Sequence, residues 1–112
     1  MDATDIAEII ADEILITETQ DALDIMGDVT YNGSSRIIMH EKNITPDFFD
    51  LKTGIAGDIL QKFSTYGVRL AIVGDFSKYS SKSLRDFIFE SNNYRHVNFV
   101  GSLNEAIKRL SA

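Results

Sequence analysis

Three short apolar runs constrain this chain most: Arg36-Ile-Ile-Met-His40, Arg69-Leu-Ala-Ile-Val73 and His96-Val-Asn-Phe-Val100. Each is too short for a buried helix and rich in β-branched residues, so each reads as a strand covered on both faces. A helix-patterned stretch follows every one of them. After the first, Thr45 can cap and Pro46 suits a first helical position. Phe48, Ile55, Ile59, Leu60 and Phe63 then form an apolar stripe, with Phe49 beside it, closed by Tyr66-Gly67. Gly54 and Gly57 interrupt the stripe, so two helical pieces fit as well as one. After the second run, residues 74–77 turn the chain. Ser80, or Ser83 with Asp86, then caps a helix with Leu84, Phe87 and Ile88 inward and Asn92-Asn93 at its end. After the third, Ser102-Leu-Asn-Glu105 is a capping box opening a helix with Leu103, Ala106, Ile107 and Leu110 inward.

The first third follows a different rhythm. Ile6-Ala-Glu-Ile-Ile10 and Glu13-Ile-Leu-Ile-Thr17 both lean towards strand, and Ala11-Asp12 between them suits a tight reversal, so a hairpin is expected. Thr17-Glu-Thr-Gln20 has the form of a capping box. Its helix would bury Ala22, Leu23, Met26 and Val29, leave Asp21, Asp24 and Asp28 outward, and stop at Asn32-Gly33. The expected fold is one small α/β domain over residues 1–112 in the order ββαβαβαβα. Its sheet is mixed, mostly parallel and four- or five-stranded, with about four helices, because strand–helix–strand alternation imposes crossover connections.

Composition narrows the chemistry. With 112 residues and no cysteine, the chain suffices for one core without disulfides. Thiol catalysis and zinc–thiolate sites are excluded. A reducing, cytoplasmic setting is expected, since no basic-then-apolar leader opens the sequence and no run approaches the ~20 apolar residues of a membrane helix. Residues 1–35 hold nine acids and no Lys or Arg, whereas the formal net charge of the whole chain is −6. A nucleic-acid partner needs a basic footprint, so none is expected. The acidic third reads first as a solvated face and second as a docking surface for a basic partner.

Ligands of open α/β sheets gather beyond the carboxyl ends of the strands. Here that edge collects His40, Glu41 and Lys42, then Asp47 and Asp50, then residues 75–81, then Gly101 and Ser102. The serine-rich helix start, with Ser81, Lys82, Arg85 and nearby Lys78, has the donors to hold a small anion, or its cations pair with neighbouring acids. Glu41, Asp47, Asp50 and Asp75 suit acid–base work or a divalent cation, although Asp47 and Asp75 are equally explained by helix-start and turn chemistry. His40 and His96 fall at opposite strand ends, too far apart to share a metal. No glycine-rich phosphate loop and no nucleophile elbow is present, and no cofactor or metal is expected. Phe49, Phe76, Tyr79 and Phe89 lie off the inward stripes. If exposed together they would mark a partner surface, most simply that of a homodimer.

Three runs carry a family resemblance: Asp47-Phe-Phe-Asp-Leu-Lys-Thr-Gly-Ile-Ala-Gly-Asp-Ile-Leu-Gln-Lys-Phe63, Leu70-Ala-Ile-Val-Gly-Asp-Phe-Ser77 and Ser81-Lys-Ser-Leu-Arg-Asp-Phe-Ile-Phe-Glu-Ser-Asn92. They resemble the bacterial family known as domain of unknown function 4180 over nearly the whole chain. That resemblance implies a bacterial cytoplasmic protein and implies no activity. A second resemblance, of shape, is to the STAS domains of anti-sigma-factor antagonists. Asn43-Ile-Thr45 and Asp50-Leu-Lys-Thr-Gly54 are similar to their loop and phosphorylated helix start, and Thr53 falls where that family carries its phosphoacceptor. The chain departs from the pattern in having Leu51-Lys52-Thr53 instead of two serines.

The expectation is a non-enzymatic regulatory or protein-interaction module. Its surface would comprise Phe49, Asp50, Lys52 and Thr53 with Asp75, Ser81, Lys82 and Arg85. The alternatives are an anion or small-metabolite binder at residues 80–85, and a carboxylate- or metal-dependent hydrolase on Glu41, Asp50, Asp75 and His40.

Overall fold

The computed structural model describes residues 6–93 and 96–111. Its elements alternate strictly: β1 (Ile6–Glu8), α1 (Thr19–Tyr31), β2 (Arg36–His40), α2 (Ile55–Tyr66), β3 (Arg69–Val73), α3 (Lys82–Asn93), β4 (Val97–Val100) and α4 (Leu103–Leu110). The four strands form one sheet in the order β1-β2-β3-β4, and every neighbouring pair is parallel. The α/β class, the parallel sheet and the helices are therefore as the sequence predicts.

The opening hairpin is not formed. The run Glu13-Ile-Leu-Ile-Thr17 is extended but never turns back on β1. It crosses beyond the carboxyl end of β2 and meets the stretch after that strand, where Ile16 bridges Ile44 in parallel. The amides of Leu15 and Ile16 donate to the Asn43 carbonyl, and the Thr45 amide donates to Ile16. The side-chain amide of Asn43, fully buried, donates to the carbonyls of Ala11 and Glu13, 2.9 Å each. The segment thus follows Asn43, and Ile16 becomes a core residue at 2 % exposure.

Sequential strand order has a direct consequence. Every crossover steps the same way, so one handedness lays all three connecting helices on one face. Ile37, Met39, Leu70, Ile72, Val97 and Phe99 accordingly pack with Ala22 and Met26 of α1, Ile59 and Phe63 of α2, and Leu84 of α3. The alternate residues Ile38, Ala71 and Val100 face the other way and meet Ala106 and Leu110 of α4, as a strand's period of two requires. The strand order never reverses, so the sheet has no switch point and no deep crevice of the dinucleotide-binding kind.

Helix boundaries refine the predicted caps. α1 starts one residue later than the Thr17 box implies, with Glu18 at the N-cap. Asp21, not Gln20, reaches back, accepting from the Thr17 amide at 2.9 Å and from the Glu18 amide at 3.3 Å. The stretch after β2 forms three 3₁₀ turns, Glu41–Asn43, Pro46–Phe49 and Leu51–Thr53, and then the α-helix. The break falls at Gly54, whose φ of 78° is left-handed, whereas Gly57 continues the helix. Ser81 caps α3, accepting from the Leu84 amide, in the place predicted for Ser80 or Ser83.

Candidate functional site

The carboxyl edge carries a concentrated set of polar and aromatic side chains. β2 delivers Glu41 and β3 delivers the turn Gly74-Asp75, and the two meet. The Asp75 amide donates to Glu41 Oε1 at 3.3 Å, Tyr79 Oη donates to Oε2 at 2.6 Å, and Lys78 Nζ lies 2.7 Å from the same oxygen. Only glycine fits at position 74: a Cβ there would sit 2.5 Å from Glu41 Oε1 and 2.7 Å from Glu41 Cβ. Burial, and then the Glu41 carboxylate, push the Tyr79 hydroxyl above its ordinary range, so this phenol stays a donor throughout the physiological range. Asp75 caps the next turn, and the Ser77 hydroxyl and amide hold its carboxyl below the usual range.

An aromatic bridge joins this turn to the 3₁₀ segments after β2. Phe49 stacks on Tyr79 with ring centroids 5.0 Å apart and lies 5.9 Å from Phe76. Phe76 in turn meets Phe99 edge-on. Phe49 is buried and Phe76 and Tyr79 are half-buried, so these three rings form the mortar between two loops and not an exposed cluster. Of the four off-stripe aromatics only Phe89 is exposed, at 69 %. Tyr94 lies outside the described residues. A shallow hollow of about 280 Å³ opens beside the bridge, lined by Ile14, Pro46, Phe49, Tyr79, Lys42 and Lys78 over Glu41.

The remaining candidates have traceable roles. Asp50 accepts from the Lys52 amide and caps the 3₁₀ turn Leu51–Thr53. The Thr53 hydroxyl donates towards the Asp47 and Asp50 carbonyls, at 2.8 and 2.9 Å, and accepts from the Ile55 amide. Lys82 pairs with Asp86 one helical turn on at 2.8 Å, which raises its pKa. Arg85 and Lys52 are exposed, with no partner among the described residues. Two of the three cations at the α3 start are therefore compensated, Lys78 by Glu41 and Lys82 by Asp86.

The catalytic set does not assemble. His40 Nε2 turns to Glu8 Oε2 at 2.7 Å, on the sheet face away from the three helices. Asp50 caps its own turn and Glu41 is held by Tyr79 and Lys78. Among the described residues no group of three or more His, Asp or Glu is placed to hold a metal ion, and no helix is long and apolar enough to cross a membrane. Sequence reasoning missed Glu8 as the partner of His40 and Asn43 as the anchor of the crossing segment. Both contacts span some thirty positions of chain, and no local pattern signals them.

This fold and edge define a class: a helix-backed parallel α/β domain without a strand reversal, whose polar groups at the carboxyl edge hold loops in place. The chain belongs to the family described as Domain of unknown function (DUF4180), which matches residues 1–110. Comparison with curated proteins and with solved structures gave no match.

Proposed function

We propose that this protein is a non-enzymatic interaction module that docks a protein partner through its carboxyl edge. The surface combines residues 50–53 with residues 75–85. One observation carries the reading: the Phe49–Tyr79 stack makes the two predicted segments a single continuous surface. The carboxylates beneath it support this, because Glu41, Asp50 and Asp75 are committed to amides, a phenol and a lysine, and not poised for proton transfer. Lys52, Arg85 and the exposed carboxylate of Asp50 supply the charges a partner would read.

Thr53 is the natural control point in this reading. It is exposed, and its hydroxyl closes the turn that leads into α2. A phosphate there would remove the one hydroxyl proton shared between the two carbonyls and set two negative charges beside Asp50, loosening the turn and repelling an acidic partner. Anion binding at residues 80–85 draws its support from Arg85 alone.

The test is quantitative capture from a bacterial lysate with the native chain, with Asp50→Lys combined with Lys52→Glu, and with Asp24→Lys as a surface control. One protein recovered by the native chain and the control, and lost with the double variant, is the expected result. Equal recovery by all three would refute docking at this edge.

A further inference from the structure

The two outer edges of the sheet are finished in opposite ways. On β4, side chains take up the outward backbone groups. Asn92 of α3 accepts from the Phe99 amide at 2.7 Å and donates to the Phe99 carbonyl at 3.2 Å, as a neighbouring strand would. Ser91 Oγ donates to the Val97 carbonyl at 2.7 Å, and Glu105 accepts from the Gly101 amide at 2.9 Å. This edge is closed to further pairing.

Among the described residues β1 has no such cover. The Ile9 amide donates inward to the Ile38 carbonyl, and peptide groups of a strand alternate sides, so Ala7 also faces β2. Ile6 and Glu8 therefore direct their N–H and C=O outward. Nothing among the described residues bonds to those groups. No Lys or Pro blunts the strand, and Ile10 just beyond it is 82 % exposed.

Two hollows flank the open edge, one on each side of the sheet. One, about 320 Å³, lies on the helix side between Ile6, Ala7 and the end of α1, with Asp28 and Val29 in its wall. The other, about 240 Å³, is formed by Glu8, His40, Ile10, Ala11 and Lys42 at the carboxyl end. A strand laid along β1 sends alternate side chains to opposite faces, so neighbouring residues of an added strand would reach one hollow and then the other. Charge selects the occupant. Between Ile6 and Ser35 every charged side chain is acidic, and Lys42 beside the second hollow faces Asp12 at 3.4 Å. A second copy presenting its own β1 would bring like charge to like.

We infer that the open edge of β1 takes up an extended, basic segment of another protein as a fifth strand. This surface is separate from the carboxyl-edge surface proposed above, and the two stand or fall independently.

The probe is an end-blocked decapeptide of alternating lysine and valine, titrated into the isotope-labelled full chain and followed by amide shifts and hydrogen exchange. The Ile6 and Glu8 amides are expected to shift and to exchange more slowly. The same peptide N-methylated at alternate amides loses two or more hydrogen bonds, and its affinity is expected to fall about tenfold or more. Asp28→Lys should weaken binding by about two- to fivefold. Relative to Glu8→Ala, which also loses the contact to His40, Glu8→Pro deletes an outward N–H without touching the ladder to β2 and should weaken binding about threefold or more. If that variant does not fold, the N-methylated peptide decides. Equal affinity for the two peptides, or protection confined to α1, overturns the inference. So does a free protein that is already dimeric with the Ile6 and Glu8 amides protected, since a second copy then owns the edge.

Discussion

Replacing Asn92 tests how the β4 edge is closed. Asn92→Ala removes the bonds to both backbone groups of Phe99, a residue only 5 % exposed, so water cannot easily replace them. A buried backbone group left unpaired costs about 1–3 kcal/mol, and two partly shielded ones together about 2–4 kcal/mol. Against a total stability of about 5–15 kcal/mol that is a large loss. At about 4 °C per kcal/mol it lowers the melting temperature by about 8–16 °C. Urea denaturation followed by circular dichroism gives the free energy, and hydrogen exchange gives the Phe99 amide directly. The variant should also self-associate, because an uncapped edge strand is a pairing template.

Asn92→Asp sharpens the reasoning. The introduced carboxylate still accepts from the Phe99 amide but faces the Phe99 carbonyl with no proton to donate. Its folded-state pKa is therefore raised, so the protonated form is the stabilising one. Relative to the native chain, the deficit should be smallest below the ordinary carboxyl value of about 3.9 and grow as pH rises through the raised value. A loss under about 0.5 kcal/mol for Asn92→Ala, with unchanged exchange at Phe99, would refute the account.

Gly74→Ala tests the crowding beneath the candidate site. Gly74 does not have a positive φ, so the penalty comes from Glu41 and not from the backbone. Overpacking of about 1–3 kcal/mol, less about 0.4–1 kcal/mol gained through the unfolded state, predicts a net loss in urea denaturation, and a stabilised variant would contradict it. Asp21→Asn tests the α1 start. The Thr17 amide and hydroxyl, with the Glu18 amide, depress the Asp21 carboxyl below its ordinary 3.8. Its stabilisation is present above that value and lost as pH falls through the depressed one. The gap between native and variant melting temperatures at pH 7 should therefore narrow as the pH falls below that ordinary value, and a gap that persists unchanged in strong acid counts against the cap.

The strands β2, β3 and β4 were legible because each is a short apolar run bounded by turn residues, and Gly67 and Ser102 mark helix ends through local bonds alone. The hairpin was misread for the complementary reason. Glu13-Ile-Leu-Ile-Thr17 has strand chemistry, but its partner is set by Asn43, some thirty residues away, whose buried amide binds the carbonyls of Ala11 and Glu13. The site shows the same division. Asp75 as a turn residue was readable. Phe49 was read as lying off the inward stripe, yet it is the ring that joins two loops through Tyr79.

The α/β class, the parallel crossovers, the caps at Thr45 and Ser102 and the acidic first third are readable along the chain, because periodicity, capping and charge act over a few residues. The strand order, the pairing of Glu8 with His40, the clasp of Asn92 on Phe99 and the edge of β1 left open among the described residues come from the packed fold. Those depend on which distant backbone groups meet. A hydrogen bond or ring contact between positions thirty apart leaves no trace in local spacing, because it is the packing of the whole sheet that brings its partners together.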